Sequence, residues 1–305
     1  MIYTLTANPA IDYHMDLTAG GFIPGAINRS EKEEMFPGGK GLNVSVILAR
    51  LGAKSTAWAF AAGKTGKLLE ALAAEKGCRC DFIWLPEGET RINVKLDCAQ
   101  ETAVNGRGPL PGPAQEEELL RRVKALGPGD TLVLSGNLHS GAGDLYAKIC
   151  GICAERQVRT IVDTEGDALR GTFRAHPFLI KPNEEELLSL FGYSEGSPAL
   201  LRELMSRCRG EGARNVLLTR GGEGALLLAQ DGRFYEARLL RRRAAVSTVG
   251  AGDSTIAGFL AGLARGDDLA DALRLACAAG CATAYTKWLA DKEEIEAAAR
   301  DIAVN

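Results

Sequence analysis

The sequence predicts an α/β fold, a mainly parallel β-sheet flanked by helices, in a single domain over residues 1–305. Short apolar runs alternate with longer amphipathic ones along the chain, the order that parallel strands and their crossover helices require. Glycine-rich motifs fall where strand-like runs end or helix-like runs begin, and ligands of such sheets bind beyond the carboxyl ends of the strands. Two regions, at about 11–37 and 90–108, break the alternation and read as strands and turns without helices. They predict a small second sheet.

The strand-like runs are 2–5, 56–60, 131–135, 159–163, 178–180, 216–219 and 225–229, each short and rich in apolar or β-branched residues. Helix-like periodicity covers 42–51, 67–76, 116–126, 144–156, 184–190, 199–210, 255–264 and 269–285. The first of these sets Leu42, Val44, Val46, Ile47 and Leu48 behind a glycine turn. Within the second irregular region, Cys98-Ala99-Gln100-Glu101 reads as a hairpin tip. The stretch Gly106 to Pro113, with three prolines and three glycines interleaved, reads as a stiff connector back to the main sheet.

Composition narrows the partners. Hydrophobic content of 46% and charged content of 25% are those of an ordinary globular protein. A net charge of −3 offers no general attraction to nucleic acid or to a membrane surface. Arg238 with Arg241, Arg242 and Arg243 is a local basic run, read as solvated. Eight cysteines lack framework spacing. The close pairs Cys78/Cys80, Cys150/Cys153 and Cys277/Cys281 read as inert thiols of a reducing compartment. With no signal-like start and no apolar span, the expectation is a cytoplasmic protein.

Five motifs carry chemistry. In Ser247 to Ser254 two glycines lead into Asp253 just before a helical run, where unpaired N–H groups favour an anion. Asp253 is then either an N-cap or a base that takes a hydroxyl proton beside a transferring phosphoryl group. As a carboxylate at a helix start it is expected to have a low pKa. GGKGLNVS, 38–45, sets Lys40 between glycines, as an anion contact or an incidental surface lysine. TRINVK, 90–95, puts Arg91, Asn93 and Lys95 on one strand face, suited either to phosphate or to solvent. KPNEEEL, 181–187, spaces Asn183 and Glu186 as a capping box, a spacing equally compatible with catalysis. TRGGEGA, 219–225, is a glycine-rich turn between apolar strands. Gly63-Lys64-Thr65 imitates the end of a P-loop, but Trp58 stands where the loop needs glycine.

In this order, over nearly the whole chain, the five motifs resemble the ribokinase-like (PfkB) sugar kinase family. The resemblance implies a three-layer α/β/α sandwich with a small β-sheet lid, and ATP and Mg2+ as cofactors. It implies that Asp253 is the catalytic base and that Gly250, Ala251 and Gly252 form an anion hole. Asp12, Gly39, Lys40, Asn43, Arg91, Asn93, Lys95 and Ser135 would face the sugar. Lys181, Asn183, Thr219, Gly221, Gly222, Gly224 and Gly252 would face ATP, with Glu186 holding magnesium through water. The family often reads SGSxPxG where this chain has Ser135-Gly136-Asn137-Leu138-His139-Ser140-Gly141, a departure that bears on the sugar contacts. The implied reaction is ATP-dependent phosphorylation of D-fructose 1-phosphate at O6. Tagatose 6-phosphate, another sugar or a nucleoside, and a catalytically silent sugar-phosphate sensor are the alternatives. Lid strands with free edges would also allow a homodimer.

Overall fold

The computed structural model describes residues 1–18, 21–97, 102–136 and 144–305. In chain order the elements open with β1 (Ile2–Thr6), β2 (Ala10–Leu17), β3 (Ser30–Gly38), α1 (Lys40–Arg50), β4 (Ser55–Ala61), α2 (Gly63–Glu75), β5 (Arg79–Cys80) and β6 (Ile83–Trp84). The middle holds β7 (Arg91–Asp97), β8 (Thr102–Asn105), α3 (Pro113–Ala125), β9 (Thr131–Ser135), α4 (Leu145–Glu155), β10 (Arg159–Asp163), α5 (Gly166–Gly171), β11 (Leu179–Ile180), α6 (Glu184–Leu190) and α7 (Pro198–Glu211). The last part holds β12 (Asn215–Thr219), β13 (Ala225–Leu228), β14 (Phe234–Leu239), α8 (Ala251–Arg265), α9 (Leu269–Ala284), α10 (Lys292–Ala299) and β15 (Ile302–Val304).

Among the described residues the main sheet runs β15-β14-β13-β12-β11-β10-β9-β1-β4-β5, with β6 also paired to β4. Its centre is parallel, and β12 to β15 add an antiparallel edge. Successive strand residues serve opposite layers. Val133, Ile161, Leu217 and Leu227 pack towards α1, α2, α8, α9 and α10. Their neighbours Leu132, Leu134, Val162, Val216, Leu218 and Leu226 pack towards α3 to α7. Side chains alternate along a strand, so continuous apolar runs are what a sheet covered on both faces needs. This is the three-layer sandwich.

The second sheet has the order β3-β2-β7-β8. Parallel pairing of β2 with β7 joins segments some eighty residues apart, with Asp12 opposite Asn93 and His14 opposite Lys95. That face looks inward. On the opposite face Ile92 is 42% exposed and Val104 63% exposed. The proposed hairpin tip at 98–101 lies outside the described residues, although β7 and β8 do pair antiparallel.

Six elements had no counterpart among the predicted runs, β5 and β6 among them at two residues each. β14 carries charge at Glu236 and Arg238, β15 is three residues at the end of the chain, and α5 and α10 are short. Short or charged segments have too little periodicity to reveal themselves. Helix α8 also starts earlier than the periodicity suggested, at Ala251, because small residues fill its first turn. No helix is long and apolar enough to cross a membrane among the described residues.

Candidate active site

The register of the central strands builds one edge of the site. Thr6 of β1 and Asp163 of β10 both lie opposite Ser135 of β9, each at the carboxyl end of its strand. Lys181 directly follows β11, whose Ile180 lies opposite Val162. Parallel pairing thus brings two hydroxyls, a carboxylate and an ammonium into one row.

Asp163 is the charge centre of that row, and only 1% of it is exposed. Its carboxylate is 3.1 Å from Lys181 Nζ and 3.3 Å from Lys40 Nζ. Burial opposes its ionisation, but the two lysines outweigh burial and hold it below the usual carboxylate range. Lys40 is in turn raised: burial works against its charge, and Asp163, Asp253 and Glu186 more than compensate. Asp163 was not among the residues expected from the motifs. It ends a plain apolar strand with no glycine beside it, and only the register shows its neighbours.

Lys40 reaches this point because Gly39 turns the chain from β3 into α1 with φ 118°. A Cβ on Gly39 would lie 2.5 Å from the Thr6 methyl. Thr6 Oγ1 then accepts from the Leu42 N–H at 2.9 Å, satisfying one of the free donors of the new helix.

Helix α8 supplies the other half. Gly250 is its N-cap with φ 77°, and a Cβ there would lie 2.5 Å from Leu289 Cδ2. Asp253 is therefore not the cap; it lies in the first helical turn with its side chain buried. Asn43 Nδ2 donates to Asp253 Oδ2 at 2.8 Å. Burial first, and then the nearby Asp163 charge, push the Asp253 carboxyl up to about 6, against the pull of Asn43, Lys40 and Lys181. The expectation of a low-pKa carboxylate is overturned. A helix start is legible in sequence, whereas burial and a second carboxylate across the site are not.

Two cavities meet at this carboxylate. One of about 650 Å³ is lined by Asp12, Gly39, Lys40, Asn43, Arg91, Asn93, Lys95 and Ser135, every residue assigned to the sugar side by resemblance. Asn93 Nδ2 donates to Asp12 Oδ1 at 2.8 Å. Asn43 Oδ1, Asn93 Oδ1 and Ser135 Oγ are buried without hydrogen-bond partners, so this cavity offers acceptors to a polyhydroxyl ligand. Lys95 Nζ is 3.3 Å from Asn105 Oδ1. The Arg91 guanidinium donates to the carbonyls of Asn8 at 2.9 Å and Gly106 at 3.4 Å, which leaves it less free than Lys95. Asn8, Thr6 and Asn105 also line this cavity and were missed. Asn8 lies in the TANPAID run that contributed Asp12, so proximity was the available signal. Asn137 and His139 lie outside the described residues.

The other cavity, about 450 Å³, is lined by Lys181, Asn183, Glu186, Thr219, Gly221, Gly222, Gly224 and the start of α8 from Gly250 to Gly252. An isolated bridge between Asn183 and Thr219 sets KPN beside TRG. A Cβ on Gly252 would lie 3.2 Å from Lys181 Nζ, so the ammonium sits against the first turn of α8. Asn183 and Glu186 form the capping box, each side chain accepting from the other's N–H at 2.8 Å. One Glu186 oxygen is held by the cap, and the residue lines the cavity. Among the described residues only Lys40, Gly250 and Asp253 line both cavities. The imitation P-loop at α2 is closed by its own chain: Glu89 accepts from the Thr65 N–H and hydroxyl, each at 2.8 Å, where a phosphate would sit.

A polyhydroxyl cavity and an anion cavity that share one buried carboxylate suit phosphoryl transfer to a hydroxyl. A model of the pfkB family of carbohydrate kinases matches residues 6–293. The chain belongs to that family. This kinase is 36% identical to the 1-phosphofructokinase of Bacillus subtilis over 97% of the chain and 96% of that protein. It is 35% identical to the D-tagatose-1-phosphate kinase of Bacillus licheniformis over 100% of the chain and 99% of that protein. Among solved structures, phosphofructokinase-2 from Escherichia coli in complex with substrates and products matches the kinase with a TM-score of 0.91 at 26% identity, covering 98% of each chain.

Proposed function

We propose that this kinase transfers the γ-phosphoryl group of ATP to O6 of D-fructose 1-phosphate, giving fructose 1,6-bisphosphate. The observation that carries the reading is the pair of cavities joined at Asp253, one holding unpartnered amide and hydroxyl acceptors with Lys95 and Arg91, the other holding Lys181 and a helix N-terminus. Asp253 takes the proton as the O6 oxygen forms its bond to phosphorus and the bond to ADP breaks. Lys40, Lys181 and the N–H groups at Gly250 to Gly252 hold the charge on the moving phosphoryl group. Asp12, Asn43 and Asn93 orient the sugar, and the lid excludes water.

The residues fit magnesium arriving on the nucleotide. Magnesium keeps most of its waters and neutralises phosphate charge when bound. No group of three or more carboxylate, His or Cys side chains forms a cage among the described residues, and Glu186, which lines the nucleotide cavity, would accept from a metal-bound water. Glu186→Gln keeps an acceptor for the cap, so melting should hold while activity at limiting magnesium falls about 10–100-fold. Unchanged magnesium titrations would return Glu186 to capping alone.

D-tagatose 1-phosphate is the second reading, on the near-equal similarity of the two relatives. Both ketohexose 1-phosphates offer a terminal phosphate and a free O6. A coupled assay across fructose 1-phosphate, tagatose 1-phosphate, fructose 6-phosphate, tagatose 6-phosphate, ribose and adenosine ranks them. Lys95→Ala should raise the KM for the phosphosugar by a factor matching about 1.5–3 kcal/mol, leaving the KM for ATP unchanged. Equal efficiency on unphosphorylated sugars would refute the phosphate grip.

The apolar outer lid face, with Ile92, Val104 and Met35 exposed, suits a second copy of the chain. Relatedness adds weight, since one solved form of phosphofructokinase-2 from Escherichia coli is described as tetrameric. Light scattering should give a dimer that Val104→Lys converts to monomer; a wild-type monomer at micromolar concentration rejects it.

A further inference from the structure

Cys277 and Cys281 stand one turn apart on α9 with their sulfur atoms 4.0 Å apart. Both line the cavity assigned above to the nucleotide, and Cys281 also lines an adjoining cavity with Arg243 and Tyr285. Gly280 brings this face of α9 against the first turns of α8: a Cβ there would lie 2.3 Å from Thr255 Oγ1. The remaining close thiol pair on a helix, Cys150 and Cys153, is fully buried in the opposite layer. The pair on α9 is thus a dithiol at the wall of the working cleft, with Cys277 also packed into the core behind it.

Its spacing matches a known coordination geometry. Two thiolates on a tetrahedral zinc-class ion, with metal–sulfur bonds of about 2.3 Å, lie about 3.8 Å apart.

We propose that Cys277 and Cys281 form a two-thiolate seat for a soft divalent cation of the zinc class, and that a filled seat excludes nucleotide from the cleft. Binding replaces two S–H protons with one dication, releasing the protons to solvent and leaving a neutral unit in the cavity that Lys40 and Lys181 also line. The two remaining coordination positions face the cavity and take water, in the volume that the nucleotide would otherwise fill. This rests on the assignment of that cavity to ATP; the seat itself does not.

Cadmium titrated into the whole, metal-free protein reads the seat through sulfur-to-metal charge-transfer absorption. One equivalent should saturate the band, and a non-hydrolysable ATP analogue should weaken cadmium binding at least several-fold. Cys277→Ala with Cys281→Ala should abolish the band; melting curves establish that this variant is folded. Cys281→Ser alone is an independent check and should weaken cadmium binding about tenfold or more. Buffered zinc should raise the wild-type KM for ATP and leave the double variant's own KM unmoved. No band, a band that survives the double substitution, or a band indifferent to the ATP analogue overturns the proposal. Absence of kinase activity on every ketohexose phosphate at saturating magnesium, with the cadmium band intact, would instead overturn the assigned reaction and leave the thiolate seat standing.

Discussion

Asp253→Asn lowers kcat by about 10²–10⁴-fold while ATP still binds. The substitution keeps the shape of the side chain and an oxygen that accepts from Asn43, so the first turn of α8 is undisturbed. What it removes is, among the described residues, the only carboxylate lining both cavities. Loss of a negative charge beside the incoming phosphates should leave ATP affinity equal or slightly tighter. The pH dependence gives a second, independent signature. Because Asp253 is pushed up to about 6, it is protonated below that pH and is a base only above it. Wild-type kcat/KM should therefore climb about tenfold per pH unit towards pH 6 and then level off, and that limb should vanish in the variant. Steady-state kinetics and ATP binding on the same folded protein check both. Turnover within a few-fold of wild type would refute the mechanism.

Asp163→Asn has the second-largest expected effect, and it acts through other groups. Lys181 and Asp163 are both almost wholly buried, so removing the carboxylate strands a charge inside the protein. Breaking such a pair costs about 3–5 kcal/mol; the lower end is expected here, since Lys40 is 42% exposed and can turn towards water. With Lys40 and Lys181 no longer tethered, kcat/KM should fall about 10²-fold through misplacement of the phosphoryl contacts. A merely structural role would predict no more than that. The Asp163 charge also helps to raise Asp253, so its removal should move the acidic limb of the pH profile to lower pH. Differential scanning calorimetry and a pH profile separate the stability and electrostatic parts. An acidic limb that stays near pH 6 would deny the coupling between the two carboxylates.

The layers of the fold were legible because both faces of the main sheet are covered. Continuous apolar strands such as Leu226–Leu228 and amphipathic helices such as α3 state that arrangement directly in residue order. The lid was legible only as an interruption. Nothing in the order of residues says that β2 pairs in parallel with β7, because the pairing joins separate segments and depends on where the main sheet delivers their ends. The motif residues were likewise legible as kinds of chemistry: glycines before a helix, cations on alternate positions of a strand, a carboxylate beside both.

The roles of individual groups divide along the same physical line. Sequence by itself determined the longer elements, the family and the motif residues of the two cavities, since these follow from local periodicity, backbone freedom and motif order. Tertiary structure decided that Gly250, not Asp253, caps α8, that Asp163 ties Lys40 to Lys181, and that Asp253 titrates near pH 6. It also placed Cys277 and Cys281 on the wall of the cleft. Each of those depends on burial and on charges brought together from remote segments, and both the desolvation of a group and the field at it are set by distances in space rather than by separation along the chain.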